Sequence, residues 1–102
     1  RRPILHNNTG GLSGPAVFPV AVRMVHEVYR RVRVPVVGMG GISTWEDAAE
    51  MMIAGAAAVQ VGAANFRDPF AMPKIIDGLA AFAQSQKLSS ITELTGTLQE
   101  WT

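Results

Sequence analysis

Apolar residues recur at Val17, Val20, Ala21, Met24, Val25, Val28 and Val32. That spacing matches one face of a helix with about 3.6 residues per turn. Pro19 is tolerated only in a first turn, so the helix is predicted to start near Phe18. His26, Glu27, Arg30 and Arg31 take the wet face, which makes His26 a surface residue. Two short apolar runs, 34–38 and 57–61, read as strands covered on both faces of a parallel sheet. Each runs directly into glycines. After the first, Ser43-Thr44-Trp45-Glu46 predicts a capping box, with the serine hydroxyl and the glutamate meeting backbone donors. The helix it opens carries Asp47, Ala48, Met51 and Met52 and stops near Gly55. After the second strand, Asp68-Pro69 opens a short helical turn. Pro73 then starts a longer helix with Ile75, Ile76, Leu79, Phe82 and Ala83. Residues 89–94 predict a last capped helical turn, and 95–102 a tail whose Trp101 packs on the body. At the other end, 1–5 reads as a strand remnant, and 6–15 is a loop crowded with turn formers.

The order strand, glycine loop, helix, given twice after a loop and a helix, predicts an α/β chain with parallel connections. It fits the C-terminal segment of a (β/α)8 TIM barrel, with residues 1–102 forming part of one domain. A doubly wound sheet is the competing architecture. Neither closes with so few strands, so an open sheet edge and an uncovered helix face are expected. The chain therefore requires a missing remainder or further copies of itself. Its start at Arg1, directly ahead of the strand remnant, also reads as a piece of something longer.

Composition narrows the function classes. In 102 residues, 48% are hydrophobic and 17% charged, a globular balance. The net charge of +1 offers no electrostatic case for nucleic acid. Arg30, Arg31 and Arg33 cluster at a predicted helix end, where they complement the dipole. No apolar stretch approaches a membrane span, so a soluble, cytoplasmic chain is expected. There is no cysteine, which excludes disulfides and thiolate metal sites and leaves redox chemistry to a bound cofactor. No residue is a credible catalytic base or nucleophile. Glu46, Asp47 and Glu50 lie on the opening turns of one helix and read as caps and surface charge. Asp68 reads as a turn residue and His6 as a loop histidine. Asn65 stands on a strand-end loop as a candidate ligand contact. The chemistry rests on three glycine-bearing loops, Gly10 to Gly14, Gly40-Gly41 and Gly62-Ala63. In a parallel barrel all three open on one face. Glycine lets backbone amides approach an anion, and a following helix start adds partial positive charge.

Asn8-Thr9-Gly10-Gly11-Leu12-Ser13-Gly14-Pro15-Ala16, then 19–25, Val37-Gly38-Met39-Gly40-Gly41-Ile42, and Val59-Gln60-Val61-Gly62-Ala63-Ala64-Asn65-Phe66 closely resemble class 1 dihydroorotate dehydrogenase. The likeness runs from about Arg1 to Leu94 and is strongest to the catalytic subunit of the NAD-linked class 1B type. It implies a (β/α)8 barrel holding FMN that oxidises dihydroorotate to orotate in pyrimidine biosynthesis. It further implies that Gly14, Gly40, Gly41 and Gly62 place amides on the phosphate and ribityl side of FMN. Ala63 falls where the family usually has threonine, so its amide remains but a hydroxyl contact is lost. The family's cysteine base, flavin-contacting lysine and orotate-holding asparagines have no counterpart here, so this chain alone is expected to be inactive. A partner subunit with FAD and an iron–sulfur cluster, and a homo-oligomeric state, are implied in the same way. Two other readings stay open: another FMN or phosphate-ester barrel enzyme, and a non-catalytic scaffold that oligomerises through the open sheet.

Overall fold

A computed structural model describes residues 1–101. A 3-10 turn at Pro15–Val17 leads into helix α1 (Phe18–Tyr29), strand β1 (Val37–Met39), helix α2 (Trp45–Ala54) and strand β2 (Ala58–Gln60). A short helix α3 (Ala64–Arg67), the long helix α4 (Ala71–Ser85) and a 3-10 turn at Ile91–Leu94 complete the order. The two strands pair in parallel, with Val37 against Ala58, Gly38 against Val59 and Met39 against Gln60. This is the α/β arrangement expected, and α2 supplies the crossover.

The core forms around α2, whose Ala48, Ala49, Met51, Met52 and Ala54 are all buried. Alanine on both flanks lets this helix lie close between α1 and α4. Met51, Ala48, Val25, Ile42, Ala56 and Ile75 form one cluster, while Ala49, Met52 and Leu94 form a second around Trp45 and Phe82. The Trp45 and Phe82 rings meet at 5.3 Å between centroids. On the sheet side, Gly38 is the buried residue of β1, and a side chain there would collide with Met51.

Several expectations are corrected. Residues 1–5 form no strand; they are exposed and bonded to neither β1 nor β2, because a strand exists only through a ladder partner. The strands are covered on one face, not both: Val37 and Met39 are 51% and 62% exposed. Helix α1 turns Phe18, Ala21, Val22 and Val25 inward and leaves Val20, Met24 and Val28 as an open apolar row. The capping box sits one residue later than predicted. The Thr44 hydroxyl accepts from the Asp47 amide, and Asp47 Oδ2 accepts from the amides of Ser43 and Thr44. In that frame Trp45 packs against Gly78 of α4. The short helix precedes Asp68-Pro69, and α4 starts at Ala71, ahead of Pro73.

His26 is half-buried, not a free surface residue. Its Nδ1 lies 3.1 Å from the Ala54 carbonyl and its Nε2 lies 2.8 Å from a Glu100 carboxylate oxygen, which also accepts from Arg30 at 3.0 Å. These contacts raise the His26 pKa above its ordinary value, first through the Glu100 hydrogen bond and then through Ala54. The expected tail is tied down as well. Gly96 donates to the Met52 carbonyl, Leu98 to Ile53, and the Thr95 hydroxyl to Ala56. Trp101, by contrast, is fully exposed and packs on nothing. The capped turn at Ser90 and Glu93 forms as predicted and α2 stops at Gly55 as expected, whereas α1 ends at Tyr29, so Val32, counted on its apolar face, lies beyond the helix.

The surface area measures how much cover is missing. A stand-alone monomer of 10.9 kDa exposes about 5,600 Å² by the usual size scaling, whereas this chain exposes 7811 Å². The excess is on the order of a large protein–protein interface. The radius of gyration, 15.5 Å, also exceeds the roughly 13 Å of a compact domain this long.

Candidate functional site

Parallel strands end on the same side, so the loops leaving β1 and β2 are neighbours by construction. Met39 runs into Gly40-Gly41, and Gln60 into Val61, Gly62 and Ala63. The start of α1 completes the group, because Gly41 is packed against it. With a φ of +71°, Gly41 occupies the left-handed region, and a Cβ added there would lie 2.7 Å from the Gly14 carbonyl oxygen and 2.8 Å from the Phe18 nitrogen. Only glycine allows this approach. Gly14, Gly40, Gly41, Gly62 and Ala63 thereby line one cleft of about 140 Å³, together with Ser13, Pro15, Ser43, Gln60 and Arg67. All five residues singled out in the sequence converge there. Of the first glycine loop, only its last residues arrive; Gly10 and Gly11 are exposed and lie outside the cleft.

The cleft is a field of backbone donors. Among the described residues, the amides of Gly41, Gly62 and Ala63 donate to no acceptor within the chain. Gly62 is the most accessible: a Cβ added to it meets nothing within 4 Å. A volume of about 140 Å³ is below the roughly 300 Å³ at which small-molecule pockets begin, so it suits a single head group and not a whole nucleotide.

The expected helix-start contribution is weaker than predicted. At α2 the amides of Ser43 and Thr44 are already taken by the Asp47 carboxylate, and that of Asp47 by the Thr44 hydroxyl. Helix α3 has only four residues, and the amides of Asn65 and Phe66 are satisfied by Gly62 and Ala63 carbonyls. Asn65, considered as a ligand contact, instead donates its side-chain amide to the Val61 carbonyl at 2.8 Å and braces the loop. His6 lies outside the cleft. Asp68 accepts from the Phe70 amide at 2.9 Å and from Lys74 at 2.7 Å, a turn residue as predicted. Lys74 and then the Phe70 amide hold its pKa below the usual carboxylate range.

Arg67 escaped the sequence reading, although it is the charged residue of the lining. Its position five residues after Gly62 acquires meaning only when Ala64–Arg67 is known to coil back as one turn. A second groove of about 560 Å³ adjoins the cleft, sharing Ser43, Ala64 and Arg67 and running past Trp45, Ala71 and Lys74.

Comparison with known proteins follows the same residues. The family model for dihydroorotate dehydrogenase matches residues 1–83. The catalytic subunit of dihydroorotate dehydrogenase B (NAD(+)) of Geotalea uraniireducens (strain Rf4) is 55% identical over 98 residues, covering 96% of this chain and 32% of the relative. A protein of Aquifex aeolicus (strain VF5), named for dihydroorotate dehydrogenase A (fumarate), is 53% identical over 98 residues, covering 94% and 32%. The chain thus spans about a third of the length of the curated relatives it matches. Among solved structures, a crystal structure of DHODH from Eimeria tenella in complex with ferulenol superposes with a TM-score of 0.80 at 27% identity, covering 95% of this chain and 28% of that one. On sequence and backbone alike, the chain belongs to the dihydroorotate dehydrogenase family.

Proposed function

We propose that this chain is the phosphate-holding C-terminal part of a (β/α)8 barrel that binds FMN and oxidises dihydroorotate to orotate, working in the cytoplasm. The convergence of Gly14, Gly40, Gly41, Gly62 and Ala63 on one small cleft carries the reading. The residues fit the phosphate end of that cofactor on three counts. Three amides are free to donate, Gly62 leaves open space where an anion can approach, and the volume admits one head group. FMN, when bound, would supply the hydride acceptor, a redox role that amino-acid side chains without cysteine do not fill. This chain's residues grip the phosphate and so set the flavin's position. Proton removal from the substrate falls to residues outside it. The bare face of β1 and β2 and the uncovered row on α1 are the surfaces where the rest of the barrel would pack.

The same reading extends to the NAD-linked type, with an FAD and iron–sulfur partner subunit and a homo-oligomeric assembly. Identity alone leaves the acceptor close to balanced, at 55% for the NAD relative against 53% for the fumarate one. The test is to purify the complete polypeptide and follow flavin absorbance and orotate formation, with fumarate and NAD supplied separately. Flavin-containing protein that forms orotate supports the proposal. Colourless protein with no turnover overturns it.

A further inference from the structure

Arg67 lies on the wall of the glycine cleft, yet among the described residues its guanidinium is in no ion pair or side-chain hydrogen bond. The pattern around it is selective. Lys74, the next cation along the chain, is clamped to Asp68 at 2.7 Å, and Asp68 is further held by the Phe70 amide. The carboxylate adjacent to Arg67 in sequence is therefore engaged elsewhere. Ser13, Gly14, Gly40, Gly41, Gly62 and Ala63, which share the cleft, offer dipoles but no charge. A phosphate monoester carries close to two negative charges at neutral pH. Amides alone would leave much of that charge uncompensated in a narrow cleft. Arg67 also lines the adjoining 560 Å³ groove, so it stands at the border between cleft and groove.

We infer that Arg67 is the cationic clamp of this site, pairing its guanidinium with the phosphate dianion cradled by the amides of Gly41, Gly62 and Ala63. The inference rests on the reading of the cleft as the phosphate site of FMN. A planar guanidinium can grip two phosphate oxygens at once, which lysine cannot do. It thus makes the site select a phosphorylated flavin over the same ring system without phosphate.

Apoprotein prepared from the complete polypeptide, titrated with FMN and with riboflavin and followed by flavin fluorescence, tests this. Arg67→Gln is expected to weaken FMN about tenfold while leaving riboflavin unchanged, and Arg67→Lys to recover part of the loss. The FMN loss should shrink at high ionic strength, where exposed charges are screened. Lys74→Gln, which removes the paired cation, is expected to leave the FMN-to-riboflavin ratio as it was. Because Arg67 is exposed and unpaired, Arg67→Gln should unfold at the wild-type temperature. Wild-type preference for FMN that survives Arg67→Gln intact overturns the clamp alone. Equal weakening of both flavins by Arg67→Gln also overturns it, since that marks a general structural effect. Wild-type protein that binds neither flavin overturns the FMN reading and the clamp together.

Discussion

Two glycines of the cleft should respond to alanine in opposite ways. Gly41 has a φ of +71°, and an alanine Cβ there would stand 2.7 Å from the Gly14 oxygen, 2.8 Å from the Phe18 nitrogen and 2.9 Å from the Phe18 Cβ. Left-handed backbone costs a non-glycine residue about 1–2 kcal/mol. The first two neighbours are backbone atoms that cannot swing aside, so the loop before α1 must shift as well. The sum is about 2–4 kcal/mol of destabilisation for Gly41→Ala. Gly62 differs on both counts: its backbone angle suits any residue, and an added methyl meets nothing within 4 Å. Gly62→Ala should therefore be neutral in stability, or stabilising by up to about 1 kcal/mol through the unfolded chain. The methyl nevertheless stands on the lining of the cleft, where it obstructs an anion approaching the Gly62 and Ala63 amides, and FMN affinity should fall by about tenfold or more. Urea unfolding of the complete polypeptide, paired with flavin titration of the folded protein, separates the effects. Gly62→Ala that binds FMN like wild type would refute the idea that the ligand approaches this backbone. Gly41→Ala with unchanged stability would refute the packing of Gly41 against α1.

Met51 is fully buried at the contact between α2 and β1, so Met51→Ala should cost about 2–5 kcal/mol in chemical denaturation. Thr44→Ala removes the hydroxyl half of the α2 capping box and should cost about 1 kcal/mol in the same assay, with little change in flavin binding. The His26 and Glu100 pair predicts a pH window. The raised His26 pKa gives a contribution fully present below the ordinary value of 6.5 and lost as pH rises through the higher folded value. The lowered Glu100 pKa, caused first by His26 and then by Arg30, gives one present above 4.5 and lost as pH falls through the folded value. The clasp is thus strongest between these limits. An NMR titration should place His26 above 6.5 in wild type and lower in Glu100→Gln; an unchanged titration would show that Glu100 is not its partner.

Local signals in this chain were legible where one residue decides one conformation. Pro19 dates the start of α1, Gly55 ends α2, and Ser90 with Glu93 caps the last turn. The glycine loops were legible for the same reason, since strand ends in parallel units share a side. What failed depended on the neighbours. Ser43 with Glu46 and Thr44 with Asp47 both spell a capping box, and only the fit of Trp45 against α4 decides between them. The apolar positions of α1 were read as one buried face, but the helix has more apolar positions than this chain can cover, so Val20, Met24 and Val28 stay open. Residues 1–5 have strand composition without a ladder partner. His26 looked solvated because its partners, Ala54 and Glu100, lie 28 and 74 residues away in sequence. Arg67 was missed because its approach to the cleft depends on a four-residue helix with no periodic signature.

The end of α2 carries a consequence for the order in which the protein takes shape during synthesis. A helix leaves four terminal carbonyls without partners from its own turns. Here Met51 and Met52 are answered by Gly55, but the further bond to Met52 comes from Gly96, that to Ile53 from Leu98, and that to Ala54 from His26, itself fixed by Glu100. Nascent α2 therefore emerges with its far end open to water, and that end is finished only after some forty more residues have been added, as the 39-residue span from Ala56 to Thr95 indicates. Closing so long a loop costs little more than closing a short one, because the entropy grows only logarithmically with length. A chain released before Gly96 would retain every residue of the cleft and still lack the segment that seals its central helix.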